Sequence, residues 1–190
     1  MAERRPRERL APSDWVQASI EAARTGGSEG VRIDALCRAL GVTKGSFYHH
    51  FASRKELVDA VAEYWASTQP TLAREHLASL PNDPSARLEA MVQLFTHREL
   101  GQRDRAMRAW GAAEAVIEQA VATADAQVLA ILEGLMKQLG LDKAAREDYA
   151  RMLMVGAVGF YGAPHLVAGG GRRRVANRVL ASIRAAAKPR

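Results

Sequence analysis

Cysteine is almost absent from this 190-residue chain: Cys37 stands alone, which excludes an intrachain disulfide and any multi-cysteine metal site. Set among Leu36, Ala39 and Leu40, it reads as a small packed residue; no resolving thiol or thiolate-favouring surroundings suggest a redox sensor. Aromatics are scarce at 6%. No stretch approaches the roughly 20 apolar residues that span a bilayer, and the basic start MAERRPRERL is not followed by an apolar signal core. The expectation is a cytoplasmic protein with no membrane partner. Alternating strand patterns are missing too. Acidic residues vanish after position 148, so charge is uneven: residues 1–56, 57–148 and 149–190 carry +3, −5 and +8, making the overall +6. A basic balance suggests a polyanionic partner without naming one.

What remains is helical. Ala, Leu, Arg, Glu and Gln dominate, and apolar residues recur at three and four. Ser13 is placed to cap a first helix through Trp15, Ile20 and Ala23, stopped by Gly26 and Gly27. A second helix covers Ile33 to Leu40 and ends at Gly41. Thr43 opens a short third, its hydroxyl able to accept from the Ser46 backbone. Ser53 and Glu56 form a capping-box pattern for a fourth helix, which should stop or kink near Pro70. After a loop between Pro81 and Pro84, helical patterns follow through Leu88 to Phe95, from about 112 to 139, from 142 to 161 and from 172 to 187.

The most informative stretch, VRIDALCRALGVTKGSFYHHFASRKELV at 31–58, has the layout of a helix-turn-helix: an amphipathic helix, a glycine turn, then a short helix with small, polar or basic residues. With Phe47 and Phe51 packed inward, Lys44, Gly45, Ser46, Tyr48 and His49 face outward. Thr43 and Tyr48 offer hydroxyls and Lys44 a charge to phosphate, and Gly45 lets the backbone approach. Ser46 and His49 can reach phosphates or base edges. Arg54 and Lys55 begin the next helix, where they would grip the DNA backbone. The adjacent His49 and His50 point about 100° apart on a helix and have no carboxylate at zinc-like spacing, so no metal or cofactor is called for.

The run GVTKGSFYHHFASRKELV, preceded by IDALCRAL, resembles the DNA-binding domain of TetR-type transcriptional repressors over roughly the first 65 residues. The resemblance implies an all-α homodimer with a three-helix helix-turn-helix domain at the N-terminus and a C-terminal helical domain that binds a small ligand and dimerises. It also implies contact with a double-stranded DNA operator by Thr43, Lys44, Gly45, Ser46, Tyr48 and His49, with Arg54 matching a basic position. Two residues depart from the pattern. Arg32 stands where a capping Thr is usual, a place from which it can touch phosphate, and Ala52 replaces a frequent Pro. Asp34 is then expected to supply some N-terminal stabilisation of the second helix.

The expected organisation is a basic arm at 1–12, a DNA-binding domain at 13–58 with its motif at 32–51, and a ligand-binding and dimerisation domain at 59–190. The arm, with Arg4, Arg5, Arg7 and Arg9, suits a minor groove or phosphates as well as no specific role. The last two long helices would form the dimer interface. Met91, Phe95, Trp110 and Met152, with Glu114 and Tyr149 as polar groups, are pocket candidates, as are Met136, Met154, Phe160, Tyr161 and His97. The expected function is a ligand-responsive repressor, not an enzyme, released from DNA by an unknown small molecule. The alternatives are a DNA-binding protein without an effector and a small-molecule enzyme; for the latter the sequence offers no nucleophile-base pair, phosphate loop or metal cluster.

Overall fold

In a computed structural model that describes residues 10–187, the chain is built of helices and the turns between them. They are α1 (Pro12–Gly26), α2 (Ile33–Leu40), α3 (Lys44–His50), α4 (Arg54–Ala78), α5 (Pro84–Thr96), α6 (Arg98–Gly111), α7 (Ala115–Gln138), α8 (Lys143–Gly162) and α9 (Gly171–Ala186). Short 3-10 turns at Ser28–Gly30 and Pro164–Val167 complete the order. Most of the arm proposed for residues 1–12 lies outside the described residues, and its last member, Pro12, already belongs to α1.

Local chemistry sets the boundaries, in places differently from the sequence expectation. Helix α1 begins at Pro12 rather than after Ser13, because the Asp14 carboxylate accepts the Ala11 N–H at 2.7 Å and a proline needs no donor at a first helical position. At α4 the capping residues act as anticipated: Ser53 Oγ accepts from the Glu56 N–H at 3.3 Å, while the Glu56 carboxylate accepts from the Ala52 N–H at 2.6 Å. Asp83 and Asp142 cap α5 and α8 through the N–H groups of Ser85 and Ala145, each at 2.9 Å. Between α5 and α6 the chain turns at His97, whose extended ψ of 121° breaks the helix where no Gly or Pro announces it.

Helix α4 does not stop at Pro70. A proline inside a helix has no N–H for the carbonyl four residues back, here that of Ala66. Gln127 on α7 supplies the missing donor, its Nε2 lying 3.1 Å from that oxygen, and its Oε1 accepts from Arg74 Nη2 at 2.9 Å. The side chain thus stitches α4 to α7 across the proline.

Two apolar cores result. The first gathers Trp15, Ile20, Leu36, Phe47, Leu57 and Trp65 with Met107 and Trp110 of α6 and Ile117 and Val121 of α7. The second joins the far half of α4 with α5, α8, α9 and the C-terminal half of α7, through residues such as Leu88, Met91, Leu132, Met136, Phe160 and Ile183. Residue 58 lies inside α4, and the first core continues past it into α6 and α7. One point corrects the sequence reading: α7 is long and apolar enough to cross a membrane by length and composition, with a mean hydropathy of 1.4 over its best window. It packs here against α4, α5, α6 and α8 as the central helix that both cores share.

Candidate nucleic-acid interface and ligand cavity

The turn between α2 and α3 depends on Gly41, held at φ 65° and ψ 35°, a left-handed conformation that a Cβ would strain. Beyond it α3 is anchored by Phe47, which is fully buried, meets Trp15 edge-on at 5.3 Å and lies 5.7 Å from Phe51. With that anchor inside, one face of α3 turns to solvent. Tyr48 is 57% exposed while its ring edge rests on Phe47 at 5.2 Å, which orients the hydroxyl without hiding it. Lys44, Gly45 and His49 are exposed and Ser46 is half-buried. At Gly45 the nearest obstacle to a Cβ is Thr43 Oγ1 at 3.6 Å, so the outer surface of the backbone is open.

Thr43 is the N-cap residue of α3, but its hydroxyl makes no cap bond; the Ser46 N–H donates to the Thr43 carbonyl oxygen at 3.0 Å instead. The hydroxyl is therefore not committed to the helix. Lys44 Nζ sits 2.7 Å from Asp34 on α2. This partner holds the ammonium above the usual lysine range, through the hydrogen bond first and the charge second. Asp34 lies in the first turn of α2, as expected of a residue that supports a helix start, and also restrains the lysine of the exposed face. Arg32 is the N-cap residue of α2, with no side-chain cap bond; it is exposed and paired with Glu29 at 2.7 Å. Lys55 is exposed beside Asp59 at 2.6 Å.

Arg54 differs from these. Its Nε donates to the Val31 carbonyl at 3.1 Å and its Nη1 to Glu114 at 2.7 Å. The guanidinium thereby ties the start of α4 to the N-cap residue of α7 instead of standing free on the α3 face. Cys37 is buried, and burial, then the nearby Asp34 carboxylate, pushes its thiol above the ordinary range. These are the surroundings of a packed thiol.

The second feature is a cavity of about 300 Å³ between α4, α5, α6, α7 and α8. Its walls include Trp65, Leu72, Met91, Phe95, Val128 and Met154, and most of them are apolar. From α8 the lining residues are Met154, Ala157, Val158 and Tyr161, one helical stripe at steps of three and four. Helix α6 contributes Gly101, Asp104 and Arg108 at the same spacing. Gly101 is indispensable to this wall: a Cβ there would lie 1.9 Å from the Tyr161 ring. Arg108 joins two carboxylates. Its Nε and Nη2 donate to Asp104 at 2.8 and 3.0 Å, and its Nη1 and Nη2 to Asp125 of α7, both at 2.8 Å. Burial lowers the arginine's basicity, but the bonds to Asp125 and Asp104 outweigh it and hold the group above its ordinary value. Burial also raises Asp104, partly countered by Arg108.

Of the pocket candidates read from sequence, Met91, Phe95, Met154 and Tyr161 line this cavity. Trp110, Glu114, Tyr149 and Met152 do not. Trp110 is fully buried in the first core, Glu114 is engaged by Arg54, Tyr149 packs against the second core and Met152 is 53% exposed. Met136, Phe160 and His97 are likewise absent from the lining. The Asp104, Arg108 and Asp125 group was missed. The i,i+4 spacing of Asp104 and Arg108 is visible in the sequence, but the third member comes from another helix.

Residues 16–61 match the family model described as bacterial regulatory proteins, tetR family. The matched segment contains most of α1, all of α2 and α3, and the start of α4. No curated protein matches the chain by sequence. Among solved structures, a transcriptional regulator from Rhodococcus superposes with a TM-score of 0.74 at 18% identity, covering 95% of this chain and 100% of that one. Reduced NemR from Escherichia coli gives 0.67 at 18% identity, with 93% and 97% covered. AmtR from Mycobacterium smegmatis gives 0.55 at 18%, with 96% and 90% covered. The similarity extends over nearly the whole chain and concerns the fold.

Proposed function

We propose that this chain, with a tetR-type domain at 16–61 and the fold of transcriptional regulators of that family throughout, is a homodimeric cytoplasmic repressor released from its operator by a small molecule in the C-terminal cavity. In each subunit α3 enters a major groove. Thr43, Lys44 and Tyr48 hold phosphates, Ser46 and His49 lie toward the base edges, and Gly45 admits close approach. Lys44 exchanges Asp34 for a phosphate on binding. Arg32 and Lys55 add charge at the margins, and Arg54 acts from the seam between the two parts of the chain.

The observation that carries the ligand-responsive reading is the double membership of α6. Its Gly101, Asp104 and Arg108 line the cavity, while Met107 and Trp110 are buried in the core that also holds Trp15 of α1. Arg103 of the same helix donates to Gln17 on α1 at 2.7 Å. A ligand that moves α6 therefore moves the seat of the DNA-binding domain. To release DNA it must prefer the arrangement that fits the operator less well, and the coupling is bounded by that preference.

Dimerisation is assigned to α8 and α9. Met152, Val155, Gly156 and Gly159 form an outward stripe on α8, opposite the stripe that lines the cavity, and Val155 is 71% exposed. Val175 adds an exposed apolar residue on α9. Small residues in such a stripe permit close helix approach. The test is selection of bound DNA from a random pool, then a small-molecule screen for release of the selected site, with the oligomeric state read by sedimentation. Failure to enrich any DNA, or a monomer in the presence and absence of DNA, would overturn the reading.

A further inference from the structure

The cavity's charge and hydrogen-bond inventory specify more than that some molecule fits. Its ionised lining groups are Asp104, Asp125 and Arg108, so two carboxylates face one guanidinium, beside an exposed His76. Arg108 spends four of its five N–H donors on those carboxylates. A carboxylate offers about four acceptor positions; Arg108 occupies two on each. The cavity therefore has acceptors to spare and an excess of one negative charge. An apolar wall with that remainder is poorly suited to a carboxylate or phosphate ligand and well suited to a donor cation.

Tyr161 packs into this wall: the residue is only 6% exposed, its ring lies against the α6 backbone at Gly101, and its hydroxyl is enclosed, with no hydrogen-bond partner among the described residues. Arg172 of α9 stacks on the Tyr161 ring at 5.0 Å and is not part of the cavity lining. Trp65 and Phe95 supply further aromatic surface, and ring faces attract cations.

We infer that the cavity takes an apolar monocation, an amine or quaternary ammonium carried on a hydrocarbon or aromatic body, with its charged head between Asp104 and Asp125 and its body along the α5 and α8 walls. Burial raises Asp104 above the usual carboxylate range, and an incoming cation relieves that penalty. The inference rests on the reading of this cavity as the effector site.

The test uses three probes of one chain length and different heads, decylamine, decanol and decanoate, titrated calorimetrically into the full-length protein. Decylamine is expected to bind at least ten-fold tighter than decanoate. Asp125→Asn should remove most of that preference. Decanoate binding as tightly as decylamine, no binding by any probe, or an unaltered preference for decylamine in a folded Asp125→Asn variant would each overturn the inference. Release of selected operator DNA is read in parallel. Decylamine binding without release would leave the ligand class standing and defeat the regulatory reading, whereas release by decanoate alone would do the reverse.

Discussion

Replacing Gly101 by alanine tests the architecture of the cavity wall. In the middle of an exposed helix this change ordinarily stabilises by about 1 kcal/mol, because alanine loses less backbone freedom. Here the added carbon would lie 1.9, 2.2 and 2.3 Å from three atoms of the Tyr161 ring. Ordinary carbon contact requires the ring to retreat by about 1.5 Å. Overpacking of this kind costs about 1–3 kcal/mol, so the propensity gain is cancelled and the net effect is a loss of up to about 2 kcal/mol. For a chain of this size a loss of about 2 kcal/mol is a fall of roughly 4–8 °C in melting temperature. The neighbouring space open to the ring is the cavity, so ligand affinity should fall as well. Gly134→Ala on α7, where a Cβ meets nothing within 4 Å, serves as the control and should gain about 1 kcal/mol. Thermal unfolding followed by near-ultraviolet circular dichroism, with decylamine titration of both variants, decides it. A Gly101→Ala protein that melts at or above the parent and binds decylamine unchanged would refute the packing described for Tyr161.

Other perturbations follow from the same geometry. Lys44→Ala or Tyr48→Ala should weaken binding to every DNA sequence alike, and the lysine variant should lower the salt slope by about one; equal affinity and slope in fluorescence titrations would remove both from the phosphate contacts. Asp34→Asn frees Lys44 and takes a negative charge off the same face, so operator affinity should rise by about two- to five-fold; a decrease would count against the exchange of partners. Glu114→Gln breaks the pair with Arg54, both half-exposed, at a cost below about 1 kcal/mol, and should reduce the difference in operator affinity with and without ligand; an unchanged difference would dismiss this contact as a coupling element. Gly159→Leu on the outer stripe of α8 should shift the sedimentation profile toward monomer while the helix content stays the same.

The helix-turn-helix was legible because it is written locally. Gly41 marks the turn, Phe47 and Phe51 mark the buried face, and Ser53 with Glu56 marks the next start, all within a span of 31–58. Legibility fell wherever a partner came from afar. Arg54 carries a charge at the start of α4, but nothing near it in the chain announces Glu114, its partner 60 positions later. The polar wall of the cavity needed Asp125 from α7 to complete a pair on α6. Trp110 and Met152 have the composition of pocket residues, and only packing separates one in a core from another at the surface. The break at His97 carries no Gly or Pro, and the dimer stripe on α8 becomes distinct only when the opposite stripe is known to face a cavity.

The stitch across Pro70 makes two positions depend on each other. While Pro70 is present, Ala66 has a carbonyl without a helical donor, and losing Gln127 strands it in a partly buried place at a cost of about 1–3 kcal/mol. Once Pro70 becomes a residue with an N–H, the helix satisfies that carbonyl and the glutamine is released from the duty. The two substitutions are therefore non-additive, and their order matters: proline first opens a tolerated route, glutamine first a damaging one. A pair 57 positions apart in the chain is thus energetically coupled by one missing hydrogen.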